Sequence, residues 1–393
     1  MNRITRPDPL PVMTGQAPAR KRVRCLSNLA VLGISLAMAA MGAPASAPAP
    51  VAQAWVPGCR ITGPAATAVQ PLTATPLPGI VTGRVAFHAV MEGPGKGVQR
   101  SLSLGDVDAV FPLASSFKPL VVRGIFRDVD AGRLTLTTKL ATTEANRSIE
   151  RYPKGSNDVR ELARRTIALS DNTASDILHL AYGPDRLARE VRAKWPCTAV
   201  LNTTKAWWAA QAGLLGTALG PDTLGALRAA AAAPFDERLS TAARLITASQ
   251  RVPAPVLERT LDDYFHGPAY TSELELYVQP TSTAREFAQL SLQVYSGTGL
   301  KAGTRAVFRS MMQTGCCRPK NPRLTTTYWG AKAGSGWRIL TLSGAVDLPD
   351  GRNLAYTYLN DQSTVTDAED MELQIRPVVT WIETQLITLA RAP

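Results

Sequence analysis

A change of period late in the chain limits the possible folds more than any other feature. Residues 338–347 and 352–360 alternate apolar and polar side chains, and Leu348-Pro349-Asp350-Gly351 between them is a hairpin signal. The same alternation occurs far upstream, in Val85-Ala86-Phe87-His88-Ala89-Val90. The residues between carry the spacing of amphipathic helices, at 158–170, 184–194, 223–232, 283–295 and 304–312. Residues 367–389 close the chain as one more helix, with Pro377 expected to kink it. An early strand, a long helical block, a hairpin and a last helix predict an α+β fold. Its antiparallel sheet takes one strand from far upstream and carries an inserted, all-α subdomain.

Composition agrees with a folded chain. Of 393 residues, 45% are hydrophobic and 19% charged, so a sizeable core can form. The formal charge is +12, but residues 1–54 hold six of the bases against one acid. The remainder is spread thinly without a basic run, which argues against a nucleic-acid partner.

The N-terminus reads as an address. Arg20-Lys21-Arg22-Val23-Arg24 precedes an uncharged apolar stretch from Leu29 to Ala43, and Ala52-Gln53-Ala54 offers a small-residue cleavage site. Residues 1–54 are therefore expected to be a secretory signal, making the protein periplasmic or secreted. An uncleaved membrane anchor is the alternative, and the Gly, Ser and Ala content makes it a poor span. Residues 55–80, rich in Pro, Ala and Thr, are expected to be a linker, and 81–393 the folded domain. Cys59, Cys197, Cys316 and Cys317 are an even set, compatible with two disulfides after export. Adjacent cysteines rarely bond to each other, so Cys316 and Cys317 are each expected to find a distant partner. No Cys-x-x-Cys is present and the three histidines are scattered, so neither metal nor cofactor is implied.

Three short motifs can carry chemistry. Ser115-Ser116-Phe117-Lys118 opens an expected helix reaching about Arg127, which puts Ser115 on the first turn and Lys118 on the same face. A hydroxyl beside a partly desolvated lysine is a nucleophile that needs no histidine. By itself the spacing is weak, because about one such tetrapeptide is expected by chance, and taken alone it reads first as a helix cap. Ser170-Asp171-Asn172 follows a helical segment; its hydroxyl can pass a proton and its amide can hold a substrate. Lys332-Ala333-Gly334-Ser335-Gly336 stands directly ahead of the hairpin, where a lysine can meet a substrate carboxylate. The N–H groups of Ser335 and Ser115 can together form an oxyanion hole. A near copy, Lys301-Ala302-Gly303-Thr304, lies between two helical patterns with no strand to carry it, and is set aside.

Together, in this order and setting, the three motifs resemble the signature of the penicillin-recognising serine enzymes. Phe111-Pro112-Leu113-Ala114-Ser115 is similar to the approach to the nucleophile in class A β-lactamases. Ala131-Gly132-Arg133-Leu134-Thr135-Leu136 resembles their following turn, and Ser170-Asp171-Asn172-Thr173-Ala174 their proton-shuttle loop. Leu201-Asn202-Thr203-Thr204-Lys205 and Pro280-Thr281-Ser282-Thr283 resemble class-A-related hydrolases of actinobacterial type, which include an esterase-like member. The resemblance covers residues 81–389. It implies a β-lactamase/transpeptidase-like fold and a monomeric serine hydrolase with Ser115 as nucleophile and Lys118 as base. It also implies Ser170 as proton carrier, and Asn172, Lys332, Gly334 and Ser335 as substrate contacts. The expected partner is a small-molecule or peptide acyl substrate bearing a carboxylate.

Two departures matter. From Ser115 to Ser170 is 55 residues and from Ser170 to Lys332 is 162, longer than in class A, so the helical subdomain is enlarged. The omega-loop glutamate that activates the deacylating water should stand four residues before Asn202, where this chain has Thr198. No acid occurs between Glu190 and Asp222, so deacylation is expected to be slow unless Glu273 or Glu275 reaches in. An esterase or D-alanyl peptidase fits the missing glutamate. So does a non-catalytic binder of cell-wall peptide or β-lactam, which Ala333 also favours.

Overall fold

The computed structural model describes residues 72–95 and 97–391. The expected signal lies outside them, as does the first part of the expected linker. The strands are β1 (Leu72–Thr73), β2 (Arg84–Gly93), β3 (Gly97–Leu104), β4 (Val110–Pro112), β5 (Lys139–Ala141), β6 (Ser156–Asp158), β7 (Thr281–Thr283), β8 (Tyr328–Gly336), β9 (Ile339–Asp347) and β10 (Asn353–Asp361). Six of them form one sheet in the order β1-β3-β2-β10-β9-β8. The hairpin is where the alternation put it, with Leu348 N–H donating to Arg352 O at 2.9 Å across the turn. The upstream strand β2 pairs antiparallel with β10 along nine residues, from Arg84↔Asp361 to Glu92↔Asn353.

Helices follow in chain order: α1 (Lys118–Asp130), α2 (Val159–Ala168), α3 (Asn172–Tyr182), α4 (Pro184–Arg192), α5 (Thr204–Gln211), α6 (Gly216–Leu219), α7 (Thr223–Ala232), α8 (Phe235–Ser249), α9 (Ala254–His266), α10 (Ser272–Val278), α11 (Ala284–Tyr295), α12 (Ala302–Met312), α13 (Ala368–Glu372) and α14 (Ile375–Arg391). Helix α11 packs on β2, β9 and β10, and α14 packs on β2 and β3. The central strands are buried almost throughout, because helices cover both sheet faces. One apolar cluster contains Phe117, Val121, Phe126 and Phe287; a second contains Phe87, Leu342, Tyr358 and Ile382.

Helices α5–α10 form the enlarged all-α subdomain. Its two ends meet at an antiparallel bridge, where Ala199 and Thr281 exchange both backbone hydrogen bonds at 2.9 Å. The far end reaches back to the sheet: Phe265 of α9 stacks on Trp337, in the turn between β8 and β9, with ring centroids 5.3 Å apart. Tyr270 meets the same indole edge-on at 6.2 Å. The insertion is thus held at its base by backbone and at its tip by aromatic contact.

Three expectations need correcting. Residues 72–80 are not a free linker: β1 pairs parallel with β3, and Thr75 N–H donates to Gln385 Oε1 at 3.0 Å. The apolar Leu72, Ala74 and Leu77 pack against the second core cluster, which is why this stretch docks. Cys316 and Cys317 are bonded to each other in the turn beyond α12, although adjacent cysteines were expected to part. Cys197 is also in a disulfide, and Cys59 lies outside the described residues. Finally, the C-terminal helix is broken between Glu372 and Ile375, ahead of Pro377. The proline sits in the first turn of α14, where its missing N–H costs nothing.

Candidate active site

The Ser115 segment begins where β4 ends. Strand β4 is pinned by β7, with Pro112 opposite Thr281, and Leu113 N–H donates to Pro280 O at 2.8 Å. The chain then turns sharply. Ala114 adopts φ 41°, outside the range an L-residue prefers, and opens a 3-10 turn, Ala114–Phe117, that runs into α1 at Lys118. Ser115 is half-buried on this turn while Ser116, Phe117 and Lys118 are buried. The expected single helix from Ser115 is therefore a tight turn followed by a helix, which fixes the serine more firmly than a helix start would. Pro119 sits in the first turn of α1, where its missing N–H costs little.

The third motif approaches from the sheet edge. Thr341 on β9 lies opposite Gly334 on β8, and its hydroxyl donates to Leu113 O at 2.7 Å. Ser116 Oγ and Thr341 Oγ1 are 2.8 Å apart. Gly334 itself comes so close that a Cβ there would lie 2.4 Å from the Ser115 amide nitrogen and 2.8 Å from Ala114 Cβ. Only glycine permits this approach. Ser335 follows directly, so its peptide continues the strand beyond this contact.

The second motif supplies the centre. Asp171 caps α3 by accepting from Ala174 N–H at 2.9 Å and is held by Arg165 at 2.6 Å. That anchorage supports Ser170 at φ 54°, another unfavourable backbone conformation. Ser170 Oγ accepts from Lys332 Nζ at 2.9 Å and from Lys118 Nζ at 3.3 Å. Lys118 Nζ also donates to Asn172 Oδ1 at 2.7 Å and to Ser170 O at 2.5 Å. Lys332 Nζ donates to Ala333 O as well. Three stretches far apart in the chain thus meet, and all seven sequence-predicted residues lie in them. Lys301 does not join: it caps α12, and its ammonium donates to Asp130 O at 2.6 Å.

Electrostatics favour a reactive lysine. Burial pushes Lys118 down to about 8, against the carboxylates of Asp176, Glu150 and Asp171, which pull it back up. Burial also holds Lys332 well below the ordinary lysine range, helped by the nearby Lys118 charge and opposed by Glu372. Asp176 is buried, and its carboxylate accepts from the backbone N–H of Thr204 at 2.7 Å and of Lys205 at 2.8 Å. It ties α3 to the start of α5, at the base of the insertion. Its spacing from Asn172, four residues along α3, was the available sequence signal.

The acids proposed to replace the missing glutamate are elsewhere engaged. Glu273 is paired with Arg228 at 2.9 Å. Glu275 is buried between Gln279 and Gln211, and burial raises its carboxyl to about 7. The acid beside Thr198 is Glu286, which sequence reading missed. It accepts from Thr198 Oγ1 at 2.6 Å and from Cys197 N–H at 3.0 Å. Asn202 donates to Val278 O at 2.9 Å, leaving its buried Oδ1 without a partner among the described residues.

Glu275 gives a clean stability test. A carboxyl raised from 4.5 to about 7 by folding favours the folded state at low pH, and that contribution is lost as pH rises from 4.5 through 7. Glu275→Gln should therefore stabilise the protein at pH 8.5 by up to roughly 3 kcal/mol and give no such gain at pH 4. Urea melts of both proteins at the two pH values measure the difference. Equal midpoint shifts at both would contradict it.

Comparison with known proteins places the chain. None of the curated proteins compared matches it. A β-lactamase from Burkholderia vietnamiensis is 21% identical over 78% of this chain and 92% of its own, with a TM-score of 0.47. A point mutant of PBP-A, solved as an acyl-enzyme complex with penicillin G, is 18% identical over 78% and 91%, with a TM-score of 0.49. A β-lactamase from Xanthomonas campestris pv. campestris is 18% identical over 77% and 92%, with a TM-score of 0.48. The model of the beta-lactamase enzyme family matches residues 105–376, more than half of the chain and all three motifs. The chain belongs to the beta-lactamase enzyme family, and it is a serine hydrolase of that family.

Proposed function

We propose that this protein hydrolyses amide or ester acyl donors of β-lactam type through an acyl-enzyme at Ser115 that is released slowly. One observation carries the reading: Ser170 Oγ accepts from both Lys118 and Lys332. With both lone pairs engaged, the hydroxyl has only its proton left to give. That is what a leaving group needs.

In the first step the neutral amine of Lys118 takes the Ser115 hydroxyl proton as Oγ attacks the acyl carbon. The oxyanion is held by the N–H groups of Ser115 and Ser335, which the close approach at Gly334 brings together. As the intermediate collapses, the bond to the leaving group breaks. Ser170 gives that group its proton and is reprotonated from the adjoining ammonium. Asn172 orients the acyl side chain. Water then hydrolyses the ester, and Thr198, an alcohol where a carboxylate is expected, supplies no general base for it.

The basic leader and small-residue site of residues 1–54 support export. An esterase or D-alanyl peptidase of the same mechanism would differ only in the acyl donor. Mixing the protein with excess nitrocefin is expected to give a burst near one equivalent, then slow turnover. A p-nitrophenyl ester should give the same burst and slow phase, because release from Ser115 limits both. Rapid linear hydrolysis of nitrocefin without a burst would refute slow release.

A further inference from the structure

The aromatic tip of the insertion adjoins the strand that carries the third motif. Trp337 stands two residues after Ser335, in the turn between β8 and β9. Ser335 Oγ donates to Glu372 Oε1 of α13 at 2.7 Å, which fixes that end of the strand. Phe265 stacks on Trp337, and His266 meets the indole edge-on with centroids 4.8 Å apart. Tyr270 lies against both, its centroid 6.0 Å from Phe265 and 6.2 Å from Trp337. Phe265, Tyr270 and Trp337 are each only half-buried, so the cluster is not sealed into the core. A contact that served only to hold the insertion would gain most from full burial.

The other part of α9 approaches the second motif. Asn172 Nδ2 donates to Glu150 Oε2 at 3.3 Å, and Glu258 of α9 is near enough for its charge to act on Glu150. Glu258, Asp262 and Phe265 are spaced i, i+4 and i+7, so they share one face of the helix. Beside that face Leu257, Leu261 and Tyr264 are buried, and α9 packs on α5. From Glu258 to Phe265 is two turns, about 10 Å. This face of α9 thus runs from the Asn172 side of the site to the Ser335 side, with its aromatic end beside the strand.

From these contacts we infer that Phe265, Tyr270 and Trp337 wall the subsite for the acyl side chain, and that the preferred acyl donor carries an aromatic ring there. This deepens the reading of Ser115 as the nucleophile and rests on it. With the carbonyl oxygen at the Ser335 N–H and the acyl side chain held by Asn172, that side chain passes along α9 and meets the three rings. A substrate ring can then pack on them edge-to-face or offset. The leaving-group side, where a β-lactam carries its carboxylate, is untouched by this wall.

The test uses two penicillins that differ only in the acyl group, acetyl or phenylacetyl. The second-order rate constant for acylation is read by intact mass in the wild type, Trp337→Ala, Phe265→Ala, Phe265→Tyr and Ser115→Ala. The wild type should favour phenylacetyl by roughly tenfold or more. Trp337→Ala and Phe265→Ala should each cut that preference to about threefold or less by slowing the phenylacetyl compound, and Phe265→Tyr should keep it. Thermal melts show which variants fold, and if one alanine variant does not, the other decides. A wild type without the preference overturns the aromatic assignment and leaves the nucleophile standing. So does a preference unchanged in the folded alanine variants, or a loss that slows both penicillins alike, as a merely structural contact would. An adduct that survives Ser115→Ala, or none with either penicillin, overturns the nucleophile, and the inference with it.

Discussion

Replacing Lys118 with methionine is expected to lower the acylation rate by on the order of 10³, with no recovery at high pH. The argument starts from the donors. Lys118 Nζ meets three acceptors, Ser170 O, Ser170 Oγ and Asn172 Oδ1, which suits an ammonium with three protons. To act as a base it must first lose one, and burial brings that loss to about pH 8. The wild-type acylation rate should therefore rise about tenfold per pH unit below 8 and level off above it, because the neutral amine is the active form. Methionine fills a similar volume without titrating. Stopped-flow acylation from pH 6 to 10 follows both effects, and a thermal melt shows that the variant is folded. A wild-type rate that falls as pH rises through 8 would contradict Lys118 as the base.

Gly334→Ala should be nearly as damaging. A methyl group at this position would meet the Ser115 amide nitrogen at 2.4 Å, Thr341 Oγ1 at 2.7 Å and Ala114 Cβ at 2.8 Å. None of these can retreat cheaply. Ser115 and Ala114 follow β4, which is paired with β7, and Thr341 is hydrogen-bonded to Leu113 O. The strand edge or the serine turn must shift by a large fraction of an ångström, and displacements of that size cost about a hundredfold in rate. Overpacking should also remove roughly 1–3 kcal/mol of stability. The loss should fall on kcat more than on KM, since the oxyanion donors are displaced while the groove stays open. A variant with unchanged kcat would mean that the Gly334 contact does not position Ser115.

How much of this could be read from the sequence follows from the range of each interaction. Ser115 and Lys118 share one turn of chain, and Ser170 and Asn172 another, so each pair is visible locally, but only the order of all three motifs set them apart from helix caps. Lys332 was distinguished from Lys301 because the alternation after it marks a strand. Glu150, Glu286 and Glu372 were not legible. Each acts through a partner at least 22 residues away in the chain, across packing that no local period encodes. The same holds for β1, a two-residue strand placed by its parallel pairing with β3. The Cys316–Cys317 bond was missed because the general rarity of such links outweighed a turn whose shape could be seen only after folding.

Everything in the mechanism depends on Ser115 accepting the acyl group. Intact-protein mass spectrometry after incubation with a fluorescent penicillin tests this most directly. A mass increase equal to one penicillin, present in the wild type, mapping to the peptide that contains Ser115 and absent in Ser115→Ala, is the predicted result. An unmodified wild type, or an adduct that persists in Ser115→Ala, would contradict it.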